Sequence, residues 1–360
     1  MLVTATTADW RGRRVFVTGH TGFKGSWLAL WLHSLGAEVT GFALPPPTEP
    51  SLFAAARIDQ LITHVVGDVR DLDAVTAAMT AAQPEVVFHL AAQPLVRLSY
   101  DQPVETFAVN VMGTVHVLEA VRKVGGVAAA ILITTDKCYE NREWVWPYRE
   151  TDAMGGYDPY SGSKGAAELA IAAYRRSFFA EGCGVASVRA GNVIGGGDWA
   201  VDRLIPDLIR AFEASRAPEI RSPDAVRPWQ HVLEALGGYL LIAERLLAGD
   251  RAFADAWNFG PADDDARSVG WIVDRLRAAW GQPATAAVPF RGAVPHEAGL
   301  LRLDCSKARA MLGWRPALGL ETALQWIVDW HRALGAGADA RALTLDQIAA
   351  YRKIARSVSA

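Results

Sequence analysis

The sequence predicts an α/β protein built on a doubly wound, mainly parallel seven-stranded sheet, with a smaller and mostly helical C-terminal domain. Three observations carry that prediction. Strand and helix signals alternate from Arg14 to about Gly191, the pattern of a parallel sheet covered on both faces. Several strand candidates are apolar throughout, as strands buried on both faces are. A glycine-rich turn, Gly19-His20-Thr21-Gly22-Phe23-Lys24-Gly25, joins the first strand to the first helix.

Taken in order, strands are expected over Arg14 to Thr18, Glu38 to Phe42, Thr63 to Gly67, Val86 to Leu90, Ala129 to Thr134, Val185 to Arg189 and Trp257 to Phe259. Between them run helical patterns at Gly22 to Leu35, Leu72 to Ala81, Val104 to Val124 and Tyr160 to Phe179. After Gly191 the alternation fails. Helices around Arg203 to Ala214, Glu234 to Leu247, Val269 to Trp280, Ser306 to Leu312 and Glu321 to Leu334 are joined by loops bearing Pro and Gly. A last helix, about Leu345 to Ile354, either docks or frays. Residues 10–190, rejoined at about 233–262, form the expected first domain, and 191–232 with 263–360 the second. The helices Val104 to Val124 and Tyr160 to Phe179 carry more apolar residues than one buried stripe requires; the surplus would pair subunits through a four-helix seam or simply pack on the sheet.

Composition narrows the function. In 360 residues, 51% are hydrophobic and the net charge is -3, with basic residues scattered, so neither a nucleic-acid track nor a polybasic membrane anchor is expected. A small-molecule partner suits this surface better. No apolar run approaches the ~18 residues of a membrane span, and Met1 to Asp9 lacks the basic start and apolar middle of a secretory leader. A cytoplasmic protein is expected. The three cysteines, Cys138, Cys183 and Cys305, have neither CxxC spacing nor nearby His pairs, and His296-Glu297 lacks HExxH spacing, so no metal site is expected.

The glycine turn has the form that holds a dinucleotide. Missing side chains at Gly19, Gly22 and Gly25 permit a tight turn and let backbone approach a pyrophosphate, while the helix N-terminus supplies unpaired N–H groups. Its GxxGxxG spacing resembles the extended short-chain dehydrogenase/reductase family, a Rossmann-type fold. No acid stands about 20 residues past the glycines to hold a ribose 2′-OH, and no Arg directly follows the second strand to favour a 2′-phosphate. NAD is the expected cofactor. The resemblance implies that Thr21, Phe23 and Lys24 of the turn, and Asp68 with Val69 after the third strand, contact it; Asp68 read alone is a helix N-cap for Leu72 onward. Leu90, Ala91, Ala92 and Gln93 end the fourth strand against the cofactor, Asn110 braces the site, and Thr134 ends the fifth strand beside it.

Tyr160 and Lys164 lie four apart just after Pro159, so both should share one face of a helix. A neighbouring ammonium favours phenolate and would bring the Tyr pKa from about 10 toward neutrality, making it a base for a hydroxyl proton. Thr135 could bind the same hydroxyl. Together with Thr18-Gly-x-x-Gly-x-x-Gly25 and His89-Leu-Ala-Ala92, these residues resemble the members of the family that act on nucleotide sugars. Epimerases of that group need only the Thr, Tyr and Lys, whereas its 4,6-dehydratases add an acid after the Thr. Here Asp136 follows Thr135, and Lys137 stands where the dTDP-glucose branch has Glu. The runs Thr135-Asp-Lys-Cys-Tyr139, Arg189-Ala-Gly-Asn-Val-Ile-Gly-Gly-Gly-Asp-Trp199 and Arg227-Pro-Trp-Gln-His231 resemble the branch that acts on CDP-glucose.

That resemblance implies CDP-glucose as substrate and a homodimer or dimer of dimers. Tyr160 would take the C4 hydroxyl proton while hydride passes to NAD; Asp136, held neutral, would protonate the leaving C6 hydroxyl. Lys137 would either remove the C5 proton, which calls for a desolvated neutral amine, or stabilise the enolate. Arg203 and Arg227 are the expected diphosphate ligands, since a guanidinium fork matches phosphate oxygens. Pro228 would fix a turn after Arg227. Asn192, Gln93, Arg221, His231 and His296 are further substrate candidates, whereas Trp229 and the other tryptophans read as core. Another nucleotide-sugar 4,6-dehydratase, a 4-epimerase, or a non-catalytic NAD-binding regulator are the alternatives.

Overall fold

A computed structural model describes residues 9–283, 288–289 and 299–359. Its centre is β1 (Arg14–Thr18), followed along the chain by β2 (Glu38–Ala43), β3 (Thr63–Val66), β4 (Val86–His89), β5 (Ala129–Ile133) and β6 (Gly184–Ala190). Next come β7 (Asn192–Ile194), β8 (Glu219–Ile220), β9 (Val226–His231), β10 (Ala256–Phe259), β11 (Ala266–Ser268) and β12 (Val288–Pro289). Seven of these form one sheet in the order β10-β6-β5-β4-β1-β2-β3. Every pairing in it is parallel. Strand order reverses between β1 and β4, and at such a switch point the carboxyl ends of the strands open a crevice for a ligand.

The apolar strands serve two cores at once, because successive side chains point to opposite faces. Val15, Val17, Val86, Phe88, Ile131 and Val188 face one way, onto helices Phe23–Ser34 and Val232–Leu247. Phe16, Val87, Ala130, Leu132 and Val185 face the other, onto Leu72–Ala82, Gly113–Val124 and Pro159–Phe178. A third core joins Leu208, Ile209, Trp229, Ile272 and Ile327. The second part of the chain is mostly helical, but it also holds two small sheets absent from the sequence expectation. One is β11-β9-β7 and the other β12-β8.

The structure corrects several expectations. Arg227-Pro228 lies inside β9 instead of at a turn, and Pro228 Cγ would stand 2.6 Å from a Cβ placed on Gly191. The last helix runs Ala340–Ser359, longer than expected, and it docks: Tyr351 meets Trp31 edge-on at 5.7 Å and donates from its hydroxyl to Glu234 Oε2 at 3.0 Å. Pro103–Val124 is long and apolar enough by length and composition alone to cross a membrane, with mean hydropathy 1.2, although Glu105, Asn110, His116 and Glu119 break its apolar run. It packs instead between Leu72–Ala82 and Pro159–Phe178. One π-helical turn, Ala108–Met112, interrupts it. All three cysteines are buried free thiols.

Candidate active site

The glycine turn has the shape a dinucleotide needs. Gly19 adopts φ 76°, and a Cβ there would lie 2.6 Å from Ala91 N. At Gly25 a Cβ would come within 2.1 Å of Gly19 O, so the helix could not start so close to the strand. A Cβ on Gly22 would meet nothing nearer than 3.5 Å, which leaves its backbone face open to a ligand. These features fit an NAD pyrophosphate held by the N-terminus of Phe23–Ser34. Within β2 the buried ring of His20 stands over Gly41, where a side chain would collide at 2.4 Å, and His20 Nε2 meets His64 Nδ1 at 2.7 Å. Thr21 Oγ1 donates to Leu44 O at 2.9 Å. Asp68 does not cap the next helix, since Asp71 does; its carboxylate is held by the Arg70 guanidinium and lies below its ordinary pKa for that reason. Val69 is buried.

Past β4 the chain is braced by Asn110, which the π-helical turn carries. Asn110 Oδ1 accepts from Gln93 N at 2.9 Å, and its Nδ2 donates to Gln93 O and to Ser163 Oγ at 3.1 and 2.9 Å. The bracing role expected of Asn110 thus has a geometry. The Gln93 side chain is engaged with Leu95 and Thr106, which removes it from the candidate substrate contacts. Ser163 was not anticipated; it lies on the helix of Tyr160, three residues on, and ties that helix to the turn after β4.

Asp158 caps helix Pro159–Phe178, accepting from Ser161 N at 2.9 Å, and the helix points Tyr160 and Lys164 toward the end of β5. Tyr160 is buried, and burial pushes its pKa up to about 12 although a hydrogen bond to Thr135 draws it down. Here the expectation of a lowered phenol fails. Lys164 Nζ instead faces Ile133 O at 3.4 Å, and Glu168, four residues on, is the acid that counters the burial bringing Lys164 down to about 8. Glu168, another residue the sequence reading passed over, accepts from the Thr134 hydroxyl, from Ser187 Oγ at 2.8 Å and from Arg189 Nη2 at 2.7 Å. Its i+4 spacing from Lys164 was the available signal.

Thr135 ends the strand as the cap of a short turn, Asp136–Cys138, and its Oγ1 donates to Asp136 Oδ1 at 3.0 Å. Asp136 is 2% exposed, and Oδ2 has no hydrogen-bond partner. Burial raises its pKa, against the opposing charges of Lys137 and Arg227. Burial thus moves Asp136 in the direction a proton donor needs. Lys137 stands beside it, half-buried. The fully desolvated setting that a neutral Lys137 would need is not found.

Thr135, Asp136, Lys137 and Tyr160 share a cavity of about 720 Å³ with Phe23, Lys24, Asn192, Arg203, Arg221 and Arg227. Arg203 pairs with Asp198 at 3.0 Å, and Asp202 pairs with Arg97 at 3.0 Å and with Arg221. Neither Asp198 nor Asp202 was expected here. His231 is not at the cavity: it is buried between Trp27 and Trp326, accepts from Leu233 N at 3.3 Å and caps a helix, so its place among the substrate residues is withdrawn. His296 lies outside the described residues.

Residues 16–327 match the family described as GDP-mannose 4,6 dehydratase. A CDP-glucose 4,6-dehydratase of Salmonella typhimurium is 55% identical over 348 residues, which cover 95% of this chain and 97% of that protein. Among solved structures, DesIV, a dTDP-glucose 4,6-dehydratase from Streptomyces venezuelae with NAD and TYD bound, shares the fold with a TM-score of 0.78 at 22% identity, over 91% of this chain and 99% of that one. MoeE5 in complex with UDP-glucuronic acid and NAD is 28% identical with a TM-score of 0.72, over 89% and 99%. An identity of that size kept along nearly the whole length, on a family match that starts in β1 and ends in the helix Leu320–Gly335, means that the chain belongs to the GDP-mannose 4,6-dehydratase family.

Proposed function

We propose that this enzyme is a lyase that converts CDP-glucose to CDP-4-keto-6-deoxyglucose and water, with NAD as its resident cofactor. The observation that carries the reading is Asp136, a buried carboxyl with one oxygen unpartnered, set beside Thr135 and Tyr160 on the same cavity. An epimerase has no use for such a proton donor. The relative at 55% identity supports CDP-glucose over other nucleotide sugars.

NAD held at the turn Gly19–Gly25 and the N-terminus of helix Phe23–Ser34 would supply a hydride acceptor for C4 and a hydride donor for C6. The chain's own groups move the protons. Thr135 orients the C4 hydroxyl, and Tyr160, whose phenol pKa burial raises and the hydrogen bond to Thr135 lowers, takes that hydroxyl's proton in concert with loss of the C4 hydride, with Lys164 one turn further along the same helix. The C4 ketone acidifies C5–H, whose proton leaves to solvent water in the cavity and is replaced at C5 when hydride arrives at C6. Asp136 gives its proton to the C6 hydroxyl, which departs as water, and Asp136 regains a proton from solvent as Tyr160 releases its own. Half-buried Lys137 stabilises the enolate by its charge. Arg203 and Arg227 hold the diphosphate, with Arg221 and Asn192 beside them. On this reading residues 10–190 and 233–262 serve the cofactor, and 191–232 with 263–360 the nucleotide sugar.

The protein would work in the cytoplasm, which suits three reduced thiols. It would assemble as a homodimer or a dimer of dimers. The seam would form from Val104, Phe107 and Met112 on one helix with Leu169 and Phe178 on another, all exposed. Incubation with CDP-glucose and NAD should give a product with the alkali-induced absorbance of a 4-keto-6-deoxy sugar. A product that is only the C4 epimer, or no reaction with CDP-glucose, would overturn the assignment.

A further inference from the structure

One side chain on the cofactor turn has chemistry that a dinucleotide does not call for. Backbone N–H groups and a helix N-terminus hold a pyrophosphate whether or not the second residue of the helix is charged, yet here it is Lys24. Its side chain lines the cavity with Asp136, Tyr160, Asn192 and Arg203. Among the described residues its ammonium makes no hydrogen bond or ion pair, and two of its charged neighbours, Lys164 and Arg203, are cations. The third is Asp136, which burial itself inclines toward the neutral form. Burial and those two cations bring Lys24 down to about 7. The arrangement lacks an anion.

We propose that Lys24 binds the diphosphate of the nucleotide sugar, so that a residue carried by the cofactor turn serves the substrate. The inference rests on the nucleotide-sugar reading above. Two observations favour substrate over cofactor. Two of the three charged groups around Lys24, Arg203 and Asp136, line the substrate cavity, with Arg203 supplied from the second part of the chain. Arg203 and Arg221 already have carboxylate partners in Asp198 and Asp202, which weakens their pull on an incoming phosphate, whereas Lys24 has no such partner. An anion lying between Lys24 and Arg203 would give Lys24 a partner and relieve the repulsion between the two cations.

The test is calorimetric titration of the full-length, NAD-saturated protein with CDP and, separately, with cytidine, which lacks phosphates. Loss of one charge-assisted contact should weaken CDP binding by Lys24→Met about tenfold or more, while cytidine and NAD affinities stay within about twofold of the unaltered protein. Lys24→Arg should keep most of the CDP affinity, because it keeps the charge. Equal CDP affinity in Lys24→Met and the unaltered protein would overturn the inference. So would loss of NAD affinity with CDP binding unchanged, which would make Lys24 a cofactor cation. If the unaltered protein binds NAD but not CDP, the substrate reading itself falls, and this inference with it.

Discussion

At the scale of single residues, the decisive group is a carboxylic acid that must keep its proton near neutrality. Asp136 has the setting for that: it is buried, one oxygen is tied to Thr135, and the other has no partner. Asp136→Asn keeps the shape and removes the acid. Dehydration should fall by about a hundredfold or more, while transient reduced-nicotinamide absorbance persists on mixing with CDP-glucose and NAD; an unchanged dehydration rate would exclude Asp136 as the donor. Lys137→Glu reverses the charge beside the enolate and should cost activity to a similar degree, whereas full activity would remove Lys137 from the mechanism. Lys164 is pulled down to about 8, so it is charged below that pH and loses its charge above it. Turnover should therefore decline as pH rises past about 8, and a flat alkaline profile would contradict that role. That Thr135, Asp136 and Tyr160 would meet at one cavity was legible in the sequence because they sit on two short runs with fixed spacing. The Tyr160 pKa was not legible, since spacing reports that a cation shares a helix face but not how deeply the phenol is buried or where the ammonium turns. His231 was misread for the same reason: a histidine at a strand end looks available until the tryptophans on either side are placed.

Among the elements, the C-terminal helix shows how far a local signal reaches. Its periodicity was visible over about ten residues, but its docking depends on Glu234, more than a hundred residues away, which accepts from Ala317 N and Leu318 N and from the Tyr351 hydroxyl. Glu234 is buried and raised from 4.5 to about 7. A carboxyl with a raised folded pKa contributes stability that is complete below about 4.5 and is lost as pH rises through about 7. Glu234→Gln keeps the acceptor for both backbone N–H groups, so its melting temperature should change less between about pH 5 and 8 than that of the unaltered protein. Glu234→Ala should destabilise by about 1–3 kcal/mol; if the two variants melt alike, the hydrogen bonds contribute nothing. The strands of the large sheet were legible to within a residue or two, because apolar runs between turn residues are local. The small sheets were not: β7 and β9 pair residues more than thirty positions apart, and Pro228 inside β9 reads locally as a turn.

For the molecule as a whole, the exposed apolar residues on the two helices beside the sheet predict how copies associate. Val104 is 83% exposed and Leu169 62%, more than a solitary soluble chain has reason to show across one face. If the proposed dimer forms through them, arginine at both positions should convert it to monomers in sedimentation; an unaltered protein that already sediments as a monomer would overturn the dimer, and an unchanged dimer in the variant would place the seam elsewhere. The interleaving of the chain has a separate consequence for how the protein can be made. The edge strand β10 and the helix Val232–Leu247 are both synthesised after the chain has left the large sheet for β7, β8 and β9, and both then return to it. A nascent protein released as far as Gly191 has β6 unpaired on one side and Val188 and Ile131 without the helix that packs on β5 and β6, so it holds a half-built core exposed to water until roughly seventy more residues emerge. Expressed alone, residues 9–191 should aggregate, and cutting the gene between the two parts should yield two insoluble pieces in place of two working modules.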